Sequence, residues 1–444
     1  MTVRLGSIRR CLEGAVPSVV ATCAADGTPN ASLISQVHYV DEDHVALSYQ
    51  FFSKTRENVQ THPRATVQLV DPVTGTMYRL ALQYLRTERD GPVFESMKAK
   101  LAGIASQVGM TGVFRLLGAD LYRVLSIERL PGTPLPLPEP RFTALGALRA
   151  TSMQLAACTD LASLFDETLG CLERHFDIRH AMLLMADPAR RRLYTVASRG
   201  YADSGAGSEI PIGHGLIGTA AEALTAIRVS HLTTEYGYVQ AVRDSLRRQG
   251  ASHDIETTIA LPGLPEAHSQ LAVPIAAGRQ LLGMLYVESP EELRFGFEDE
   301  DALATLAAQL ASAIGTLQTT EAAEDADETQ PDHAPSGAPV RLRRYATDDS
   351  LFLGDDYLIK GVAGAILWKL ARDFIATRRT AFTNRELRLD PSLRLPDVSD
   401  NLEARLILLQ RRLADRNACM QIEKTGRGRF RLIVDRPLEL DDIS

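Results

Sequence analysis

The chain has 444 residues, which is enough for two to four domains with cores of their own. Apolar residues make up 45% and charged residues 23%, and both values are ordinary for a soluble globular protein. No apolar run reaches the length of a membrane span and the N-terminus lacks the apolar segment of a signal peptide, so we expect a cytoplasmic protein without a membrane segment.

Charge is distributed unevenly along the chain. Residues 341–444 contain 20 Lys and Arg against 16 Asp and Glu, which leaves 28 against 40 for residues 1–340. A basic C-terminal region on an acidic body is expected where that end of the protein meets an anionic partner.

Residues that ligate metals are not clustered in the sequence. The five cysteines show no C-x-x-C spacing, which argues against a zinc site and against a disulfide framework. His38 and His44 are expected on neighbouring strands, but two histidines without a third ligand do not make a metal site. The sequence therefore predicts no metal.

Residues 16–127 alternate in the manner of a small antiparallel barrel. Strands are expected over residues 16–23, 30–40 and 44–50, with turns between them. Further strands are expected over 65–70 and 78–84, then a helix over 93–107 and a last strand pair over 113–116 and 121–127. Closing these strands into a barrel would remove the exposed sheet edges.

The segment between the third and fourth of these strands is the most informative stretch. Ser53 is expected to cap a helix over residues 54–61, which His62 and Pro63 end. Lys54 and Arg56 then lie at the positive end of the helix dipole, which is unfavourable unless an anion binds there. The residues alone leave two interpretations open, an anion site and a pair of surface cations.

The order of features in this segment resembles a known family. An aromatic-rich strand end, the pattern S-x-x-R-x-N-hydrophobic and a short helix closed by Pro-Arg resemble the flavin-phosphate segment of the pyridoxamine 5'-phosphate oxidase-like split barrels, and the resemblance covers residues 10–130 of a domain placed at 1–130. It implies that the phosphate of FMN is held by Ser53, Lys54, Thr55, Arg56 and Asn58. It also implies a homodimer with flavin at the subunit interface. Haem or a deazaflavin are alternative occupants, and an empty barrel that only dimerises is a further interpretation.

A second domain is expected beyond a proline-rich spacer at residues 131–149. The expected elements begin with one amphipathic helix over 152–176, strands over 180–185 and 193–198 and a glycine-rich turn. Strands over 271–275 and 281–288 and a helix over 298–317 come next. This order resembles a GAF domain over residues 150–318. The glycines at 213, 215 and 218 do not lie in a βαβ unit, so we interpret them as the turn before the helix that flanks a GAF pocket. Its ligand is unknown.

Four aromatic or imidazole side chains are candidates to line that pocket: His214, His231, Tyr236 and Tyr238. The alternative is that they are loop residues without a ligand.

An acidic linker at residues 319–340 precedes a third domain at 341–440. We expect three helices: one over 363–374, a second at 384–388 capped by Thr383, and a third capped by Ser399. A hairpin over 420–434 follows them. This is the order of a winged helix-turn-helix. The run L-x-x-L-x-R-R-L and the hairpin T-G-R-G-R-F-R-L resemble the winged-helix effector domains of bacterial response regulators.

The resemblance implies that the third helix enters the major groove of DNA and that the hairpin touches phosphates. The outward-facing candidates for DNA contact are Asn401, Arg405, Arg412, Lys424, Arg427 and Arg429. Leu408 is expected on the same face. Acidic neighbours and exposed Ile407 and Leu408 leave a protein-binding surface as the alternative.

The sequence thus predicts a multidomain α+β protein with a split barrel, a GAF α/β sandwich and a winged helix. The function that uses all three domains is a cytoplasmic flavin- and ligand-sensing regulator of transcription. The alternative is an FMN-dependent oxidoreductase of the barrel family, regulated by the other two domains. The sequence offers no residue whose role as proton donor or hydride partner can be argued. Flavin itself supplies the redox chemistry, so the missing catalytic residue does not decide between the two functions.

Overall fold

The computed structural model describes residues 3–12, 14–34, 37–49, 54–107, 116–230, 259–320, 335–393, 402–426 and 428–443. We refer to residues 3–130 as the N-terminal module, 141–320 as the central module and 335–443 as the C-terminal module. The strands of these ranges form sheets of seven, six, four and three strands. The protein is therefore a mixed α+β chain of several modules. Among the described helices, none combines the length and the apolar character needed to cross a bilayer.

The N-terminal module is a curled antiparallel sheet with the order β2-β1-β5-β6-β7-β4-β3. Its strands are β1 (Ser18–Cys23), β2 (Pro29–Ile34), β3 (Val37–Tyr39), β4 (His44–Tyr49), β5 (Arg64–Val70), β6 (Met77–Glu88) and β7 (Gly118–Arg129). Its helices are a 3-10 helix (Leu5–Leu12), α1 (Lys54–Thr61) and α2 (Pro92–Gln107). Alternate residues such as Val67, Leu80 and Leu82 fill the interior of the sheet, as a period of two requires.

Most of the strands expected in this module are present. The helix predicted over residues 54–61 is confirmed, and so is the strand that follows it. The single strand expected over 30–40 is wrong, since β2 and β3 occupy it as separate strands on opposite edges of the sheet. Residues 113–115 of the expected last strand pair lie outside the described residues.

The central module has one six-stranded antiparallel sheet, in the order β10-β9-β8-β13-β12-β11. Its strands are β8 (His180–Asp187), β9 (Arg192–Arg199), β10 (Glu209–Pro211), β11 (Ile227–Val229), β12 (Ser269–Ala277) and β13 (Gln280–Ser289). Its helices are α3 (Ala144–Leu155), α4 (Leu161–Phe176), α5 (Gly215–Ala223) and α6 (Phe297–Thr320). One face of the sheet packs on α4 and α6, and the other on α5.

The single helix expected over residues 152–176 is wrong. The chain forms α3 and α4 with a break between them, because the Asp160 carboxylate accepts a hydrogen bond from the Ser163 backbone N–H at 2.9 Å and caps a new helix. Helix α3 begins at Ala144, inside the residues assigned to the spacer. The proline-rich residues 131–140 are exposed and form no helix or strand.

The C-terminal module begins with a sheet that the sequence did not indicate. Strands β14 (Val340–Tyr345), β15 (Ser350–Leu353), β16 (Asp356–Ile359) and β20 (Leu438–Ile443) pair in the order β16-β15-β14-β20, with β20 parallel to β14. Between them lie α7 (Gly361–Thr377), β17 (Ala381–Thr383), α8 (Asn384–Leu389), α9 (Leu402–Asp415), β18 (Met420–Gly426) and β19 (Arg429–Val434).

The local predictions for this module are confirmed where the chain is described. The Thr383 hydroxyl caps α8 by accepting the Glu386 backbone N–H at 3.2 Å, and β18 pairs with β19 as a hairpin. The cap expected at Ser399 lies outside the described residues.

The modules pack against one another. Helix α2 of the N-terminal module lies on α5 of the central module, and the Arg9 guanidinium is 2.9 Å from the Asp301 carboxylate. Helix α9 of the C-terminal module lies on α4 and β9, and the buried apolar residues of the two modules form one continuous cluster. The C-terminal module is therefore bound to the central module through the helix that carries its basic residues.

Candidate functional sites

The first turn of α1 carries the residues expected to hold a phosphate. Lys54 is exposed and pairs with Glu57 at 3.4 Å on the same helix. Arg56 turns inward, where its Nε lies 3.8 Å from the Asp120 carboxylate and its Nη2 donates to the Thr87 hydroxyl at 3.2 Å. Positions two apart on a helix point in different directions, so the structure does not bring the two cations to one point. Ser53 lies outside the described residues.

Thr55 and Asn58 join α1 to the first two strands of the sheet. The Thr55 hydroxyl accepts from the Asn30 side-chain amide at 2.9 Å and shares a hydrogen bond with the Ser32 hydroxyl at 2.8 Å. Asn58 is buried, and its side-chain amide donates to the Thr22 hydroxyl at 3.1 Å. Asn58 is thus a structural residue that holds the helix, whereas Thr55 presents a half-buried hydroxyl at the helix start.

Asp120 is a buried acid that the sequence did not single out. Its carboxylate accepts a hydrogen bond from the Thr87 hydroxyl, which is also 2.7 Å from the Tyr84 hydroxyl. Burial raises the pKa of Asp120, and the Thr87 hydrogen bond and the nearby Arg56 charge oppose that rise. The only sequence signal was an acid placed among apolar residues at the start of β7.

These residues fit the phosphate of FMN in part. The start of an eight-residue helix, the Thr55 hydroxyl and the exposed Lys54 ammonium supply donors of the kind that a phosphate needs. Arg56 is paired with Asp120 and is only 13% exposed, so it can bind a phosphate only if that contact loosens.

A second polar cluster lies inside the central module. Glu288 is buried on β13, and its carboxylate accepts from the Tyr286 hydroxyl at 2.9 Å and from the Leu264 backbone N–H at 2.7 Å. Burial raises the pKa of Glu288 and, more strongly, the pKa of Tyr286. The Tyr201 ring lies against the His180 ring at 5.6 Å between centroids. These groups share one end of the sheet face that packs on α5.

Of the four pocket residues expected from the sequence, the structure describes His214. His214 is exposed at the start of α5 and makes no capping hydrogen bond with its side chain. His231, Tyr236 and Tyr238 lie outside the described residues. The glycine turn is confirmed as the lead into α5, since Gly213 and Gly215 have positive φ and a Cβ on Gly218 would lie 2.4 Å from the Pro211 carbonyl oxygen.

Comparison with known families assigns two of the three modules. A model described as pyridoxamine 5'-phosphate oxidase matches residues 6–119, and a model described as GAF domain matches residues 158–315. The chain carries a pyridoxamine 5'-phosphate oxidase-family domain followed by a GAF domain. No protein with curated annotation matches the chain.

Three solved structures are similar to parts of this chain. The GAF domain of a phosphoenolpyruvate-protein phosphotransferase from Coxiella burnetii is 23% identical (TM-score 0.32) and covers 40% of this chain and 97% of that chain. Free methionine-R-sulfoxide reductase from Neisseria meningitidis is 17% identical (TM-score 0.31) and covers 41% and 98%. An FMN-binding protein from Syntrophomonas wolfei is 14% identical (TM-score 0.24) and covers 28% and 84%.

Two of the residues expected to contact DNA are buried in the described part of α9. Arg405 and Arg412 are only 4% and 6% exposed, and Leu408 is buried as well, so the outward orientation predicted for all three is wrong in this structure. Arg412 lies within its own module, where its guanidinium donates to the Leu358 and Tyr357 carbonyls. Arg405 faces the GAF domain, 3.1 Å from the Asp187 carboxylate.

The hairpin residues are placed differently. Lys424 is exposed, Arg429 is half-buried, and Asn401 and Arg427 lie outside the described residues. The Lys424 ammonium lies 3.2 Å from Glu403 of α9 and 3.6 Å from Asp160 of the GAF domain. The sequence could not show that Arg405 and Leu408 of α9 are buried, because nothing in the order of residues tells which surface covers this helix.

Proposed function

We propose that this protein is a flavin- and ligand-sensing regulator in which the oxidase-family and GAF domains control a C-terminal winged helix that binds DNA. The observation that carries the proposal is the packing of α9 on the GAF domain, since it joins the module with the basic residues directly to a sensor domain. A change in the GAF domain can therefore alter the exposure of α9.

The flavin part rests on the oxidase-family match and on the start of α1. Lys54 and the Thr55 hydroxyl would hold the FMN phosphate, and Arg56 would add a second cation. Bound FMN supplies one- and two-electron redox chemistry. Asn58 and Asn30 fix the position of α1 against the sheet, so the Thr55 hydroxyl is presented at a defined place. We expect a homodimer, as the resemblance to the split barrels implies, which sedimentation would test.

The DNA-binding part rests on the order of elements in the C-terminal module. Three helices, α7 to α9, are followed by the β18–β19 hairpin, which is the order of a winged helix-turn-helix. Helix α9 would enter the major groove, and the hairpin cations Lys424 and Arg429 would meet phosphates. The small-molecule ligand would bind in the GAF domain near Glu288.

An FMN-dependent oxidoreductase is the second candidate. Asp120 favours it, because a buried acid with a raised pKa beside Thr87 and Arg56 can hold a proton near a bound flavin. Oxidation of reduced pyridine nucleotide by the purified protein would support this function over sensing alone.

The flavin assignment is tested with the double variant Lys54→Ala/Arg56→Ala. We expect this variant to lose FMN that the wild-type protein retains through gel filtration, as followed by flavin absorbance before and after dithionite. The control is Lys98→Ala/Arg79→Ala, which removes an equal charge from two exposed ion pairs of the same module. Undiminished flavin in the first variant would overturn the phosphate assignment. A Soret band in the absorbance spectrum would identify the cofactor as haem instead of FMN. A protein that takes up no FMN would show that the barrel does not bind flavin.

A further inference from the structure

We propose that the GAF domain holds the C-terminal module in a closed state by placing its own carboxylates against the cations that would otherwise meet DNA phosphates. This inference rests on the proposed DNA-binding function. In this state the GAF domain and duplex DNA compete for one surface, which we define as the α9 surface: residues 402–411 of α9 together with Lys424.

Burial of α9 is the first observation. Residues 402–409 are all buried, so more than two turns of the helix are covered on every side. A helix that reads DNA must project side chains onto base edges in a groove about 12 Å wide. The α9 surface cannot do so while the GAF domain covers it.

The centre of the contact is a buried ion pair. The Arg405 guanidinium lies 3.1 Å from the Asp187 carboxylate at the end of β8, and both side chains are about 95% buried. The guanidinium also lies 5.1 Å from the centroid of the Tyr194 ring on β9. The Asp187 carboxylate therefore pairs with Arg405, a residue that the sequence predicts to contact DNA.

Two further cations pair with the GAF domain at the rim. Arg411 donates to the Asp166 carboxylate at 2.6 Å and to the Val196 carbonyl at 2.8 Å. Lys424 on the hairpin lies 3.6 Å from Asp160. Three cations of the α9 surface thus each meet a different acid of the GAF domain, in the way that cations of a DNA-binding face meet successive phosphates.

Apolar residues complete the covered surface. Ile407 and Leu408, which the sequence predicts to be exposed, are 5% and 4% exposed here. Leu408 lies beside Gly207 of the GAF domain, and Ala162 of α4 lines a small cavity with Ile407. The partner that these apolar residues require is the GAF domain of the same chain.

The contact between the two modules is not packed uniformly along its whole length. A cavity of about 460 Å³ lies beside Asp187, between Arg190 of the GAF domain and Arg344 and Asp349 of the C-terminal module. Strand β8 also links the contact to the candidate ligand cluster, since it carries His180 at one end and Asp187 at the other. A ligand that shifts β8 would act on the ion pair directly.

The test uses the full chain with Asp166→Arg and, separately, Asp187→Asn. Asp166→Arg replaces attraction to Arg411 by repulsion at the rim, and Asp187→Asn leaves Arg405 buried without its counter-charge. The control is Glu173→Arg, which makes the same charge change on the same helix but at a residue that pairs with Arg199 inside the GAF domain. Two quantities are measured: hydrogen exchange of the α9 amides, and the affinity for a labelled mixed-sequence duplex at low salt.

We expect both interface variants to exchange faster in α9 and to bind the duplex about 10- to 100-fold more tightly than the wild type, since Asp187→Asn removes the counter-charge of a buried cation, Asp166→Arg adds repulsion at the rim, and both changes shift the equilibrium away from the closed state. Glu173→Arg should match the wild type in both measurements. Equal duplex affinity in the wild type and the interface variants would overturn the closed state while leaving DNA binding in place. Faster exchange without duplex binding by any variant would overturn DNA binding itself.

Discussion

The buried pair of Arg405 and Asp187 supports a prediction whose size follows from the structure. At 3.1 Å two unit charges attract by roughly 5 kcal/mol at an effective dielectric constant of about 20. Removing one partner leaves the other charge buried and uncompensated, which costs about 3–5 kcal/mol. We therefore expect Asp187→Asn and Arg405→Met each to lower the free energy of unfolding of the C-terminal module by about 3 kcal/mol. The double variant removes both charges and should lose far less than the sum of the single variants.

The assay is urea unfolding followed by tryptophan fluorescence. The chain has one tryptophan, Trp368, which is buried in α7, so its emission reports the C-terminal module. The control cycle is Glu423→Gln with Arg431→Met, a more exposed pair within the β18–β19 hairpin, whose coupling should stay at or below about 1 kcal/mol. If the Asp187 and Arg405 effects add to within about 0.5 kcal/mol, the two charges do not interact as the structure indicates and the reasoning is refuted.

Three further predictions concern the GAF domain and the C-terminal module. Glu288→Gln removes a carboxyl whose pKa is raised by burial. The stability that Glu288 contributes is present below its ordinary pKa near 4.5 and is lost as the pH rises through the raised value. The variant should therefore gain in thermal midpoint over the wild type as the pH increases, and a pH-independent difference would contradict this. Gly218→Ala places a methyl group 2.4 Å from the Pro211 carbonyl oxygen and should destabilise the GAF domain by about 1–3 kcal/mol in a thermal melt. The control is Gly315→Ala on α6, where the added methyl group has no neighbour within 4 Å, and it should be neutral or slightly stabilising. Asp390→Asn removes a carboxylate whose pKa the Lys369 hydrogen bond lowers to about 2. The stabilisation from Asp390 is present above its ordinary pKa and is lost as the pH falls through about 2. The variant should therefore have a lower thermal midpoint than the wild type at neutral pH and the same midpoint at the acid limit.

The parts of the fold that were predicted correctly depend on short-range signals. Helix α1 was placed at its observed bounds because a polar cap and a terminating His-Pro pair lie next to it in the chain. The Thr383 cap was predicted for the same reason. The break at Asp160 carried a comparable signal, an acid three residues before Ser163, but the continuous apolar stripe on both sides of it outweighed that signal.

The parts that were missed depend on distant partners. Strand β14 pairs with β20, which lies about a hundred residues further along the chain, and each strand carries only a short apolar alternation, V-R-L-R in β14 and L-E-L-D in β20. The expected cation site on α1 was divided for a similar reason, because Asp120 comes from β7 and draws Arg56 away from Lys54.

The sequence by itself determined the order of the oxidase-family and GAF domains, the glycine turn before α5 and the three helices followed by a hairpin. Only the tertiary structure decided what the basic helix α9 faces. Its residues Arg405, Leu408 and Arg411 have the same spacing whether the helix meets water, DNA or the GAF domain. Spacing specifies which side chains share a face, but burial depends on the surface that covers the face, and here that surface is built from α4, β8 and β9 more than two hundred residues away.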